Sequence, residues 1–101
     1  MKEIKIGEKT IGLNATPLAL LFYNQEFNSD LLEDLSKMEK DGFSAVQLLK
    51  IVWAMAKAHK GVSSQFPDFY KWVASLDYFN FADDELISAI IEEAQNGFFR
   101  T

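Results

Sequence analysis

The stretch from Ser44 to Gly61 leaves the chain least freedom. Ala45 to His59 holds neither Gly nor Pro, and Val46, Leu48, Leu49, Ile51, Val52, Trp53, Ala54, Met55 and Ala56 dominate it. Only Gln47, Lys50 and Lys57 interrupt, and they fall on one narrow stripe. The spacing predicts a helix over residues 44–60. Ser44 caps it, Gln47 completes a capping box, and Gly61 stops it in a left-handed conformation. A helix apolar over most of its circumference has to be covered on several sides. We therefore expect it at the centre of the core, not at an active site.

The rest of the chain supplies candidate covers. Ile4 and Ile6, then Ile11 and Leu13, alternate with polar residues on either side of Gly7-Glu8-Lys9-Thr10, the pattern of a β-hairpin over residues 2–13. A register centred on Glu8-Lys9 pairs Ile6 with Ile11 and Ile4 with Leu13, through a two-residue turn or a longer loop. Thr16-Pro17 opens a first helix as cap and first position, with Leu18, Leu21 and Phe22 on its stripe and Leu20 and Tyr23 widening it. Asn28-Ser29-Asp30 recaps a second helix to about Lys40, apolar at Leu31, Leu32, Leu35 and Met38. Pro67 starts a fourth, where Phe66, Phe69, Tyr70, Val73 and Leu76 recur with Trp72 beside them. A fifth runs from a cap at Asp83 through Leu86, Ile87, Ile90, Ile91 and Ala94 to Asn96-Gly97. The expected fold is mainly α: an N-terminal β-hairpin followed by about five helices around the buried central one.

At 101 residues this is one domain, residues 1–101. With no cysteine, thiolate zinc sites, disulfides and thiol chemistry are excluded. The longest apolar runs, Leu18–Tyr23 and Ile51–Ala56, are too short to span a membrane, and the N-terminus lacks the apolar core of a signal peptide. A cytoplasmic protein is expected, with no membrane partner. The formal charge of −5 is carried by Asp83, Asp84, Glu85, Glu92 and Glu93, since the remaining acids balance the ten Lys and Arg. Without a basic patch the chain is a poor partner for nucleic acid.

Residues with chemical potential are few. His59, the one histidine, ends the central helix beside Lys57 and Lys60, where the helix dipole favours a cation. A second histidine or a cysteine would be needed for a transition-metal cluster, so no metal or cofactor is expected. Asp83-Asp84-Glu85 sits where a helix N-terminus prefers negative charge, and Glu92-Glu93 reads as a solvated face or an acidic docking surface. The glycines are scattered singly, so no phosphate-cradling loop exists, and Ser63-Ser64 lacks nucleophile-elbow spacing. The reading is non-enzymatic, with no catalytic residue.

Aromatic residues say more. Phe79, Phe81, Phe98 and Phe99 fall outside the helical periodicity, beside the acidic helix. They either close the base of the core or form an apolar patch for a partner, with Arg100 as the neighbouring cation. The hairpin edge is a second docking route, open to another strand or to a second copy of the chain.

Several segments resemble small tail assembly chaperones of long-tailed siphophages and related prophages. They are Lys5-Ile6-Gly7-Glu8-Lys9-Thr10, Leu13-Asn14-Ala15-Thr16-Pro17-Leu18, Tyr23-Asn24-Gln25-Glu26-Phe27 and Trp53-Ala54-Met55-Ala56-Lys57. Phe66-Pro67-Asp68-Phe69-Tyr70-Lys71-Trp72 and Glu92-Glu93-Ala94-Gln95-Asn96-Gly97-Phe98-Phe99-Arg100 continue the likeness. The resemblance implies a cytoplasmic role in the bacterial host: binding the tape measure protein, keeping it soluble and recruiting tail tube subunits. Apart from the resemblance, the open hairpin edge allows a homo-oligomer. The alternative is a small interaction adaptor unrelated to phage.

Overall fold

The computed structural model describes residues 2–42, 44–63 and 65–99. Strands β1 (Lys2–Ile6) and β2 (Lys9–Leu13) form an antiparallel hairpin. Five helices follow: α1 (Pro17–Phe27), α2 (Leu31–Asp41), α3 (Ala45–Lys60), α4 (Phe69–Ala74) and α5 (Asp84–Phe98). The architecture is the expected one. On α3, Leu48, every residue from Ile51 to Ala56, and Ala58 are buried. α1, α2, α4 and β2 all pack on it, while α5 packs against β1.

The hairpin register differs from the expected one. Gly7 and Glu8 alone make the turn, so Ile6 pairs with Lys9, Ile4 with Ile11 and Lys2 with Leu13. Gly7 has φ of 63° and Glu8 is not in the positive region, the φ signs of a type II′ turn, whose twist matches that of a hairpin. The displacement is by two residues and leaves side chains on their faces. Ile4, Ile6 and Leu13 are thus still buried and Ile11 half-buried. Lys9, opposite Ile6, donates from Nζ to the Ser75 carbonyl at 2.9 Å.

Two helix faces are also corrected. In α1 the buried residues are Ala19 and Tyr23, whereas Leu21 is exposed. Thr16 has extended cap geometry, but its hydroxyl makes no capping bond. In α4 the buried residue is Trp72 and Tyr70 faces out. That helix begins at Phe69 and not at Pro67, and Asp68 supplies the cap by accepting from the Lys71 N–H at 2.8 Å.

Polar bonds fix how the helices meet. Ser44 Oγ accepts from the Gln47 N–H at 3.3 Å, one arm of the capping box. The Gln47 side chain does not reach back; its amide donates to the Tyr23 hydroxyl. That hydroxyl donates to Asp34 Oδ2 at 2.7 Å, where Ser29 Oγ also donates at 2.7 Å. One buried tyrosine therefore ties α1 to α2 and α3. β2 is tied to α3 by its continuation, since the Asn14 N–H donates to the Met55 carbonyl at 3.0 Å.

Two glycines permit the closest approaches. A Cβ on Gly12 would lie 2.5 Å from the His59 ring, which accounts for a glycine inside a strand. Gly97, expected to end α5, instead lies within it. A Cβ there would stand 2.3 Å from both the Cβ and the carbonyl oxygen of Ala15. Glu93 Oε2 accepts the Ala15 N–H at 3.1 Å from one turn earlier on the same helix.

Two outcomes are expected. Alanine is the better helix former by about 1 kcal/mol, so Gly97→Ala would stabilise a free helix. Here it should destabilise by about 1–3 kcal/mol, the cost of overpacking against fixed backbone, read as a lower urea midpoint. Burial, and then the bond to Asp34, push the Tyr23 phenol above its ordinary value near 10. The unfolded chain ionises there while the folded phenol stays neutral. Its stabilisation is therefore complete below about pH 10 and is lost as pH rises beyond it. Tyr23→Phe should cost about 1–3 kcal/mol at neutral pH and flatten the alkaline fall in stability, measured by denaturant unfolding across pH.

Candidate functional site

A largely apolar opening on the surface lies between α3 and α4. Val46 and Leu49, three apart on α3, form one wall. Phe69, Tyr70, Val73 and Ala74 of α4 form the other, and the cleft holds about 330 Å³. Val46 is 58% exposed and Tyr70 87%, so both stand at the rim. Leu49, which the sequence placed with the central core, is half-buried: it packs against the core and also lines the cleft. Sequence reasoning missed this site because it assigned Tyr70, along with Val73, to the packed face of α4; Val73 packs there and Tyr70 does not. The missed signal is the position of Trp72: a helix that buries it turns Tyr70 away.

The α4 wall is held from several directions. Glu26 of α1 accepts the Phe69 N–H at 2.8 Å, satisfying a donor that a helix start leaves free. Trp53 Nε1 donates to the Pro67 carbonyl at 3.0 Å. The Phe69 ring meets Phe27 edge-on at 5.0 Å, and Trp53 at 6.4 Å. Lys50 Nζ lies 5.2 Å from the Phe27 ring, and Lys57 Nζ 4.5 Å from Phe22, so both amines cover aromatic faces. These contacts leave the α4 surface facing α3 fixed in place but uncovered.

The residues singled out in the sequence do not form one patch. Phe79 and Phe81 stack with centroids 4.4 Å apart, just before α5 begins. Phe98 and Phe99 lie at its other end, about 20 Å away at 1.5 Å per helical residue. Phe79 and Phe98 are half-buried against the core, while Phe81 and Phe99 are 37% and 51% exposed. Arg100 lies outside the described residues. The acidic surface is also divided. Asp83 accepts from the Leu86 N–H as the cap of α5, and Glu93 is turned to Ala15. Asp84, Glu85 and Glu92 are exposed.

His59 is half-buried against Gly12 and serves packing. Among the described residues no group of three or more His, Asp or Glu is placed to hold a metal ion, and no helix is long and apolar enough to cross a membrane. Comparison with protein-family models, curated proteins and solved structures finds no match.

The two ends of α5 should respond differently to truncation. Phe98→Ala should cost about 1–3 kcal/mol in urea unfolding because its ring packs on the core. Phe99→Ala should stay within about 0.5 kcal/mol. Equal effects would mean that the pair acts as a unit after all.

Proposed function

We propose that this chain is a non-enzymatic tail assembly chaperone of a siphophage or related prophage. On this reading it acts in the bacterial host cytoplasm, holding an apolar helical segment of the tape measure protein until tail tube subunits arrive. The observation that carries it is the α3–α4 cleft, taken with the sequence likeness. A helical client offers anchors at positions i, i+3, i+4 and i+7, and a groove with apolar walls accepts such a stripe. The cleft volume, about 330 Å³, suits a few side chains rather than a whole helix. The net charge of −5 favours encounter with a basic client and contributes to association rate.

Co-expression with a tape measure protein tests the reading. The wild-type chain should co-purify with it and raise its soluble fraction. Val46→Asp combined with Tyr70→Ala alters two exposed rim positions, so the unfolding midpoint should hold while capture drops at least tenfold. A wild-type chain that neither binds nor solubilises the client would end the chaperone reading. Full capture by the double variant would place docking elsewhere on the surface.

A further inference from the structure

β1 leaves one side of its backbone unused. In a two-residue hairpin the pair closing the turn exchanges both of its hydrogen bonds, and alternate pairs beyond it do the same. Ile6–Lys9, Ile4–Ile11 and Lys2–Leu13 are those pairs. Glu3 and Lys5 lie between them and turn their N–H and C=O groups away from β2. Both residues are exposed, and neither has a partner outside the hairpin among the described residues. The β2 side is closed, because α3 packs along it and the Asn14 N–H just past its end is taken by Met55. α5 packs on β1, where Ile4 and Ile6 are buried, and leaves Glu3 and Lys5 exposed; the open edge of the sheet is β1.

Its sequence matches itself under a two-fold axis. Antiparallel pairing centred on Ile4 sets Glu3 opposite the partner's Lys5 and Lys5 opposite the partner's Glu3. The residues that would exchange backbone bonds across the axis are these same two, whose groups already point outward. Opposite charges at directly facing positions favour pairing, and a self-complementary patch is what a two-fold interface requires. We infer that β1 is the seat of a symmetric dimer, in which a second copy adds its own β1 and the two hairpins join into one four-stranded sheet. Charges on an edge strand ordinarily oppose pairing; here Glu3 and Lys5 lie at matching distances from the axis, so each charge meets its opposite.

Analytical ultracentrifugation over a concentration series tests the dimer. The wild-type chain should associate, with weaker association at high salt as the pairs are screened. Glu3→Lys alone and Lys5→Glu alone place like charges across the axis and should each weaken self-association tenfold or more. Mixing the two variants pairs Lys with Glu at both positions and should restore a heterodimer. Lys5→Pro removes an outward N–H that the hairpin does not use, and should give a monomer with an unchanged circular dichroism spectrum. A wild-type chain that is monomeric at every concentration overturns the dimer. So do single charge reversals that associate as wild type does.

Discussion

Trp53 and its neighbours leave no side of the middle of α3 for water. Six consecutive buried residues, Ile51 to Ala56, point in every direction around the axis, and each direction needs its own cover. The remaining elements are arranged accordingly. α1 and α2 close one part of the circumference, β2 another, and α4 a third. The hairpin could not persist alone, since two strands are marginal in water. It persists because Leu13, Ile4 and Ile6 are buried in the same core. α5 then covers β1, so the last helix reaches the centre through the first strand.

Directional bonds give that packing a unique form. Apolar contact alone allows one helix to rotate over another at little cost. The Tyr23 hydroxyl removes this freedom by donating to α2 and accepting from α3. The Glu93 carboxylate does the same at the far side, fixing α5 against the start of α1 through the Ala15 N–H. Glycine is needed where backbones come nearest, at Gly12 and Gly97. The small residues Ala19 and Ala94 are fully buried.

Much of this was legible in the residues. The caps at Asp30, Ser44 and Asp83 lie where the sequence puts them, because a short polar side chain before an apolar run has few other uses. Alternation identifies a hairpin but not its register, since sliding by two residues preserves every face. Hydrophobic ranking favours Leu21 over Ala19, yet α1 buries the smaller side chain and leaves the larger in water. The cleft was hidden for a related reason. Periodicity shows that α4 has an apolar stripe, but two such stripes share Phe69 and Val73, and the neighbours alone decide between Trp72 and Tyr70. The four phenylalanines around α5 looked like one cluster only because the helix between them was not counted as distance.

The brevity of α4 has a consequence for the cleft it borders. Six residues cannot sustain a helix in water, where nucleation outweighs the few bonds gained. This one exists through external holds: Glu26 on its first N–H, Asp68 at its cap, and Trp53 on the carbonyl of Pro67. The cleft is therefore bounded by one wall that belongs to the central helix and another that is conditionally folded. Whatever fills it adds contacts to the conditional wall and, by mass action, draws the equilibrium toward the formed helix. Occupancy and local folding become one event, with the indole of Trp53 as the joint between them.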